Sequence, residues 1–486
     1  MKRLFRYSLF TINYLLLFFL SSCSLNRYVF LCEEKPFKKE INAILQDSLL
    51  VPATVGIKIV SVKDNSVLYE YNADKLFNPA SNMKLLTSAA VLVKLGPEYR
   101  FKTVVYGSGD LEDGKLSGNL YLKGLGDPDL KTQDLEKLVK DIKWHGIMEI
   151  NGNLIADDSF FDDIRQGAGW AWDEPPVYWN ARIGALSLNE NLIGVRIKPG
   201  KEIGDSVRVT LEPSTKYVKI DNQGITGVIG FENNLTVDRI LEGEINTIAI
   251  AGTLAVDSRG ITAYRNLENP PLYTITVFKE LLEKSGIRLD GEIKIGISPL
   301  DSIIELGVHY SKPLIEILYY MNKTSSNFVS EQVLKTLGAV FKSEPGTSEE
   351  GISVIKDFIS RTGIDSTKYR AVDGSGLSTY DMLSPSQIVN LLVFMFKSFE
   401  YQPEYLTSLP VSGIDGTLRK RMNEPIILRR VRAKTGTLSR ASCLSGYAIT
   451  KRREIVAFSI MINNFLGDAN SIREIQDRIC KALVNF

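Results

Sequence analysis

Ser81 and Lys84 are the two residues of this chain whose types and spacing first suggest covalent chemistry. A serine hydroxyl is a weak nucleophile at neutral pH and needs a nearby base. The chain has two histidines, His145 and His309, and a serine–histidine–aspartate triad would have to use one of them. A lysine three positions after the serine lies on the same helix face, and it can act as the base if burial or a neighbouring cation lowers its pKa. The pair therefore predicts Ser81 as a nucleophile and Lys84 as its base.

The triplet Ser325-Ser326-Asn327, at the end of a polar loop predicted at 322–327, supplies a second serine and an amide. A hydroxyl beside the reacting bond can pass a proton to a departing amine. We expect Ser325 to do this. We expect Asn327 to hold Lys84 and the carbonyl group of a substrate through its side-chain amide.

The segment Lys434-Thr435-Gly436-Thr437 lies on a predicted strand and completes the candidate site. Lys434 is the candidate cation that lowers the pKa of the base. Lys434, Thr435 and Thr437 can bind the free carboxylate at the end of a peptide chain, and Gly436 leaves the strand edge open for an extended substrate. Backbone N–H groups of Ser81 and Thr437 form the expected oxyanion hole.

Each motif also occurs elsewhere in the chain, so none is specific alone. S-x-x-K recurs at 353–356, K-T-S occurs at 323–325, and S-x-N recurs at 24–26 and 187–189. Only the set described above puts the first motif at a helix start, the second in a loop between helices and the third on a strand before a hairpin. Order and context therefore select this set as the candidate active site.

The pattern of apolar residues predicts the elements that must position these groups. A strand hairpin at 54–62 and 66–71 precedes a helix that begins at Ser81 and ends at Leu95. Short strands and glycine-containing turns dominate from about 101 to 260. The other predicted helices are 134–143, 272–285, 314–320, 328–337, 349–361, 385–399 and 469–483, and the other strands are 431–438, 444–450 and 455–462. An α+β fold explains this order: an antiparallel sheet flanked by helices and split by a long β-rich insert.

Composition and the N-terminus limit the class of protein. The 486 residues are 44% hydrophobic and 24% charged, as in a soluble globular protein of two or three domains. The net charge of +1 gives no electrostatic case for binding nucleic acid or an anionic membrane surface. A basic start followed by an apolar run of twelve residues predicts a signal peptide at 1–22.

The residues LSSC at 20–23 are similar to a bacterial lipoprotein cleavage box. This similarity implies cleavage before Cys23 and lipid on its sulfur, hence an exported, periplasmic protein with a lipid anchor. Ordinary cleavage after a small residue is the alternative. Because export permits disulfides, Cys443 and Cys480 either pair or remain two buried free thiols.

Four further stretches add to the three motifs. They are FNPASNMK at 77–84, GLGDP at 124–128, DGSGLS at 373–378 and GIDGTL at 413–418. With the motifs, they resemble the class C low-molecular-mass penicillin-binding proteins, the D-alanyl-D-alanine carboxypeptidase/endopeptidase family. The resemblance covers nearly the whole mature chain. One departure is Ser326, where the family commonly has aspartate, but this is the variable position of the motif.

The resemblance implies a penicillin-binding transpeptidase-like domain made of residues 36–98 and 300–486. The insert, 99–299, is expected to form two subdomains. The insert also contains Asp157 and Asp158, in a segment that is similar to one whose acidic residue contacts the diamino acid of the substrate. A solvated acidic turn is the alternative for these two residues.

The function that the resemblance implies is that of an exported serine D,D-peptidase. Such an enzyme cleaves D-alanyl-D-alanine ends or D-alanyl cross-links of peptidoglycan through an acyl-enzyme on Ser81. The expected partners are peptidoglycan peptide side chains, with β-lactams as covalent inhibitors, and no metal or organic cofactor is required. One alternative is a β-lactamase, in which the first two motifs lie much closer together. The other is a catalytically idle cell-wall-binding lipoprotein, against which the complete motifs argue.

Overall fold

The structure is a computed structural model that describes residues 36–486. The predicted signal peptide at 1–22 and the predicted lipidation site, Cys23, lie outside these residues. The described helices are α1 (Pro36–Ile44), α2 (Met83–Leu95), α3 (Thr132–Trp144), α4 (Pro270–Lys284), α5 (Leu314–Thr324), α6 (Asn327–Phe341), α7 (Ser348–Ile359), α8 (Pro385–Lys397), α9 (Gln402–Ser408) and α10 (Ala469–Asn485). The described strands are β1 (Thr54–Ser61), β2 (Val67–Tyr71), β3 (Lys102–Ser108), β4 (Asp110–Glu112), β5 (Lys115–Ser117), β6 (Leu120–Gly124), β7 (Glu149–Ile150), β8 (Leu154–Asp157), β9 (Leu192–Lys198), β10 (Arg208–Glu212), β11 (Val218–Gly227), β12 (Thr236–Glu242), β13 (Ile245–Ala255), β14 (Ile261–Asn266), β15 (Arg288–Leu289), β16 (Ile293–Ile295), β17 (Ile303–Tyr310), β18 (Val431–Leu438), β19 (Ala441–Ile449) and β20 (Ile455–Asn463).

A five-stranded sheet with the order β18-β19-β20-β1-β2 forms the frame of the main domain. All of its pairings are antiparallel. Side chains alternate between the two faces of a strand. In β20, Ala457 and Met461 therefore pack into a core with α2 and α8, whereas Phe458 and Ile460 pack against α1 and α10 on the other side. Helices cover both faces of the sheet, and β18 lies at one edge.

Helix α2 passes through the centre of the main domain, in contact with α5, α6, α7 and α8. A single turn of 3-10 helix, Ala80–Asn82, leads into it, and Gly96, at φ 83°, ends it. Because helices surround α2 on several sides, polar side chains in its first two turns are buried, among them Lys84 and Ser88. A buried polar group needs a partner inside the protein, so the surroundings of Lys84 determine what it can do.

The region between α2 and α5 is a mixed α/β insertion. Two of its sheets, β16-β8-β6-β3-β17 and β15-β7-β5-β4, enclose a core with helices α3 and α4. The other two sheets, β10-β9-β14 and β11-β13-β12, are formed by the residues between β8 and α4. In sequence, the strands of these last two sheets therefore lie between β8 and β15, within the part of the chain that forms the first two sheets.

Strand β17 corrects the predicted end of the insert. The sequence places residues 300–310 with the second part of the main domain, but β17 pairs antiparallel with β3, the first strand of the insertion. A pattern of alternating residues predicts a strand but does not identify its distant partner. The inserted region therefore extends past 299 to Tyr310.

The polar loop predicted at 322–327 is wrong in its extent. Helix α5 continues through Thr324 and α6 begins at Asn327, so only two residues connect them. Ser325 ends α5 in the left-handed conformation, with φ 63°, and Ser326 caps α6 by accepting a backbone N–H hydrogen bond. Serine commonly caps a helix in this way. A polar stretch that looks like a loop in the sequence can therefore hold the end of one helix and the start of the next.

The predicted fold class is confirmed. The hairpin at 54–71, the helix after Ser81 and the three C-terminal strands lie within a few residues of their predicted bounds. Among residues 36–486, the structure contains no helix of the length and apolar character that a membrane span requires.

Candidate active site

Ser81 lies in the 3-10 turn before α2, where the backbone is strained. Ala80, the residue before it, has φ 45°, a left-handed conformation that is unfavourable for a residue with a side chain. The Asn78 side chain accepts a hydrogen bond from the Ala80 N–H at 2.8 Å, and the Asn82 amide donates to the Lys434 carbonyl at 3.0 Å. These contacts hold the turn, and strain of this kind persists where the surroundings enforce it.

Strand β18 approaches this turn closely, and Gly436 makes the approach possible. A Cβ atom at Gly436 would lie 2.9 Å from both the Pro79 carbonyl oxygen and the Ser81 nitrogen. Gly376, at φ 77°, allows a second close approach, because a Cβ there would lie 1.9 Å from the Ala80 carbonyl oxygen. The nucleophile turn is therefore clamped between β18 and the loop at 373–378.

Lys84 is fully buried and contacts three groups. Its Nζ donates to Ser81 Oγ at 3.2 Å, to Asn327 Oδ1 at 2.6 Å and to the Ser375 carbonyl at 2.7 Å. Burial lowers the pKa of Lys84 from 10.5 to about 8, against the opposing effect of the nearby carboxylates, Asp373 first among them. A neutral amine 3.2 Å from a serine hydroxyl can accept its proton.

Lys434 is also fully buried, and it reaches Ser325. Its Nζ donates to Ser325 Oγ and to the Thr435 carbonyl, each at 2.8 Å. Burial holds the pKa of Lys434 well below its usual range, and the positive charge of Lys84 lowers it further. Asn327, which accepts from Lys84, donates its amide to the Trp179 carbonyl at 2.9 Å. The structure thus brings Ser81, Lys84, Ser325, Asn327 and Lys434 together.

A group of buried carboxyls stands behind Lys84. The Glu331 Oε1 atom accepts hydrogen bonds from the Gly374 and Ser375 N–H groups at 2.9 and 2.8 Å. These bonds orient the peptide unit of Ser375, whose carbonyl accepts a hydrogen bond from Lys84 Nζ. Asp373 organises the same loop by accepting from the backbone N–H of Gly376 at 2.6 Å. Burial, aided by the charge of Asp373, raises the pKa of Glu331 to about 8.

An open cleft of about 710 Å³ leads to Ser81. Thr435 and Thr437 line it, and so does Arg473, whose guanidinium donates to Thr437 Oγ1 at 3.2 Å. Thr435 Oγ1 donates to Thr417 Oγ1 at 2.8 Å, which ties the GIDGTL segment to the floor of the cleft. Hydroxyls and a cation converge at this end, an arrangement that suits a carboxylate ligand.

Asp157 and Asp158, the predicted substrate contacts, are not among the residues that line this cleft. Asp157 is fully buried and accepts hydrogen bonds from the N–H groups of Ser159 and Ser298 at 3.1 and 2.8 Å. Asp158 is paired with Arg165. These carboxylates stabilise turns within the inserted region.

Several groups of the site were not predicted. The Ser375 carbonyl is a backbone group, and the sequence carries no signal for it beyond the DGSGLS stretch. Glu331 lies in α6 and looks like a surface residue, although it is fully buried. Arg473 lies in the C-terminal helix α10, where nothing in the pattern distinguishes it from other basic residues.

The histidines and cysteines of the described residues make no hydrogen bond to Ser81, Lys84, Ser325 or Lys434. His309 is on β17, with its Nε2 atom 3.4 Å from Asp127 Oδ2, inside the insertion. Cys443 and Cys480 are both free and buried. The alternative of two free thiols is therefore the one that the structure contains.

The chain matches a family model over nearly its whole described length. The family is described as the D-Ala-D-Ala carboxypeptidase 3 (S13) family, and the match covers residues 37–485. The chain belongs to this family. A relative from Actinomadura sp. (strain R39), named D-alanyl-D-alanine carboxypeptidase, is 33% identical over 468 residues, which cover 92% of this chain and 84% of the relative. The predicted family is confirmed.

A solved structure of a relative has the same fold. The crystal structure of penicillin binding protein 4 (dacB) from Haemophilus influenzae matches with a TM-score of 0.80 at 25% identity, covering 92% of this chain and 98% of that chain. The same protein complexed with a novel β-lactam matches with a TM-score of 0.74. The likeness extends over the main domain and the insertion.

Proposed function

We propose that this protein is a serine D,D-peptidase that cleaves peptidoglycan peptides at D-alanyl-D-alanine ends or D-alanyl cross-links. Family membership supports the peptidase activity. The β-lactam complex of the Haemophilus influenzae relative supports inhibition by compounds of that class. The proposal for the residues rests on the contacts among the three motifs.

The first step is attack by Ser81 Oγ on the carbonyl carbon of the penultimate D-alanine. As the new C–O bond forms, the hydroxyl proton moves to the neutral Nζ of Lys84, 3.2 Å away. The backbone N–H groups of Ser81 and Thr437 stabilise the negative charge on the carbonyl oxygen. The terminal carboxylate of the substrate binds Thr435, Thr437 and Arg473 at the end of the cleft.

The second step breaks the C–N bond and leaves an acyl group on Ser81. The departing amine needs a proton, and Ser325 relays to it the proton that Lys84 took from Ser81. Lys434 holds the Ser325 hydroxyl in place, at 2.8 Å. Water then attacks the acyl carbon while Lys84 accepts one of its protons. The C–O bond to Ser81 breaks, and Lys84 returns the proton to Ser81 Oγ. The leaving group is D-alanine in carboxypeptidase action or a cross-linked side-chain amine in endopeptidase action.

The observation that carries this proposal is the position of Lys84, which contacts both Ser81 and Asn327. The test is covalent labelling with a fluorescent penicillin. The Ser81→Ala variant should not be labelled. Ser353→Ala, in the second S-x-x-K motif, should be labelled like the parent. Undiminished labelling of Ser81→Ala, or an adduct mapped to Ser353, would contradict the assignment.

The two alternative functions, a β-lactamase and a catalytically idle binding protein, predict different reactions with penicillin. A β-lactamase would hydrolyse its penicilloyl-enzyme quickly, whereas a D,D-peptidase keeps it for a long time. An idle cell-wall-binding protein would not be labelled at all. Family membership favours the peptidase, and the lifetime of the labelled enzyme measures the difference directly.

We further propose that the protein is exported and held at a membrane by lipid on Cys23. A substrate in peptidoglycan requires an enzyme outside the cytoplasm. The basic start, the apolar run and the LSSC box at 20–23 support the proposal.

A further inference from the structure

One segment of the inserted region, residues 165–180, reaches the groups that hold the proposed base. Two of the groups that accept hydrogen bonds from Lys84 are Asn327 Oδ1 and the Ser375 carbonyl. The Trp179 carbonyl accepts from the Asn327 side-chain amide at 2.9 Å. Because that amide donates through its nitrogen, its oxygen is left to face the ammonium. The segment therefore acts on the first acceptor through a backbone carbonyl.

Trp170, in the same segment, reaches the second acceptor through a carboxylate. Its indole Nε1 donates to Asp373 Oδ2 at 2.9 Å. Asp373 also accepts from the backbone N–H groups of Gly376 and Ser378, at 2.6 and 2.9 Å. These bonds close the loop around Ser375. The inserted region is thus linked to the carbonyl that accepts from the base.

The segment packs closely against this loop, which fixes the indole. Trp170 is buried in an apolar cluster that includes Phe161. A Cβ at Gly169, where φ is 75°, would lie 2.5 Å from the Tyr380 ring and 2.6 Å from Ser378 Oγ. A buried indole N–H needs a hydrogen-bond partner, and here the carboxylate of the loop supplies it.

We infer that Trp170 is a positioning residue for the base: through Asp373 it holds the loop whose carbonyl accepts from Lys84. This inference rests on the proposed function. A buried carboxylate that loses one donor shifts toward the donors that remain, and here those lie within the loop itself. The Ser375 carbonyl would move with the loop, and Lys84 would no longer be held beside Ser81. Small displacements of a reacting group slow its reaction strongly.

The test replaces Trp170 by phenylalanine, which keeps an apolar ring but has no N–H. Penicillin acylation is followed over a range of concentrations, which separates the limiting rate of acylation from the dissociation constant of the complex formed before it. In Trp170→Phe, the limiting rate should fall by at least about tenfold, the factor for one hydrogen bond to a charged group. The dissociation constant should stay as in the parent, because Trp170 is not among the residues that line the cleft.

Two further variants decide whether the N–H acts through the carboxylate. 3-Benzothienylalanine, placed at position 170 by nonsense suppression, has the shape of tryptophan with sulfur in place of the N–H. It should fold like the parent and show the same loss of rate. In Asp373→Asn, adding Trp170→Phe should slow acylation much less than it does in the parent, because residues that act through one contact have non-additive effects.

Trp144→Phe is the matched control, since Trp144 is 90% exposed at the end of α3. It should acylate like the parent.

A parental limiting rate in both position-170 variants would overturn the inference. So would a weaker first complex with an unchanged limiting rate, which indicates a wall of the cleft. Multiplicative losses in the double variant would show that Trp170 does not act through Asp373. In each of these cases, labelling of the parent leaves the proposed function standing. A parent that penicillin does not label would remove the proposed function itself.

Discussion

Lys84 is a base in a setting that pulls its pKa in two directions. Burial lowers the pKa, whereas the charges of Asp373, Glu331 and Asp381 raise it, and the outcome is about 8. Asp381 is itself fully buried, and its pKa is raised well above its ordinary value by burial and by Asp373. The positive charge of Lys84 in turn lowers the pKa of Lys434, which burial already holds well below its usual range. The pH dependence of the enzyme should report this balance.

The first prediction concerns the acylation rate as a function of pH. Only neutral Lys84 can accept the Ser81 proton, and its neutral fraction grows as pH rises through about 8. The second-order rate of penicillin acylation should therefore increase from pH 6 to about pH 9. In Glu331→Gln, the amide keeps an oxygen for the two N–H groups, but the carboxyl that ionises as pH rises through about 8 is lost. Lys84 then gains no negative neighbour over the pH range in which it deprotonates, so the rise should be complete at a lower pH than in the parent.

Glu349→Gln is the matched control, because Glu349 is an exposed residue at the start of α7. Its pH profile should superpose on that of the parent. If Glu331→Gln also superposes on the parent, Glu331 does not influence the base electrostatically.

The second prediction concerns the identity of the base. Arginine keeps the positive charge but does not deprotonate in proteins. Lys84→Arg should therefore acylate at least about 100-fold more slowly than the parent. Lys434→Arg keeps its charge beside Ser325 and should retain more activity. Lys356→Arg, in the second S-x-x-K motif, should match the parent. Circular dichroism checks that each variant is folded, and near-parental acylation by Lys84→Arg would exclude it as the base.

At the scale of elements, the sequence predicts those helices and strands whose residues show a clear local pattern. The helix before Gly96 and the strands at 431–463 follow from apolar periodicity and from turn residues. The DGSGLS stretch was recognised in the sequence. The hydrogen bond from Lys84 to the Ser375 carbonyl in this loop was not predicted, because every residue has a backbone carbonyl and the residue type does not mark it. The pairing of β17 with β3 was missed for a similar reason: alternation predicts a strand, not its partner.

The buried face of α6 is a second instance of this limit. Glu331 and Lys335 have the spacing of an exposed helical ion pair, yet both are fully buried. The Lys335 ammonium pairs with Asp162 of the inserted region. Tertiary contacts with the insertion, which local periodicity does not reveal, account for their burial.

The third prediction concerns the contact between β18 and the nucleophile turn. Gly436→Ala would place a Cβ 2.9 Å from the Ser81 nitrogen and from the Pro79 oxygen, both of them backbone atoms. The strand must move away, which displaces the expected oxyanion hole. Penicillin acylation should fall by about 100-fold, as small misplacements of reacting groups can cause. Gly296→Ala meets only the Ile155 side chain, at 3.3 Å, and should acylate normally. Parental activity in Gly436→Ala would show that this contact does not position the site.

At the scale of the whole molecule, the fold class and the family were predicted from the motifs and from their order along the chain. The location of the protein remains a prediction, because residues 1–35 lie outside the described part. Mass spectrometry of the native protein should find acyl chains on Cys23. Cys23→Ser should release the protein from membranes without loss of penicillin labelling. An unmodified N-terminus at another residue would contradict lipidation.

The order of strands in the main sheet also has a consequence for timing. Strand β1 pairs with β20, and the backbone at Ser81 lies against Gly436, so parts of the main domain that are far apart in the chain meet beside the nucleophile. The ribosome makes Ser81 and Lys84 long before it makes residues 431–463. Long-range pairing of this kind forms late in folding. A nascent chain therefore carries Ser81 without the contacts that β18 supplies. We expect the enzyme to become reactive only when its final strands have been synthesised and have completed the sheet.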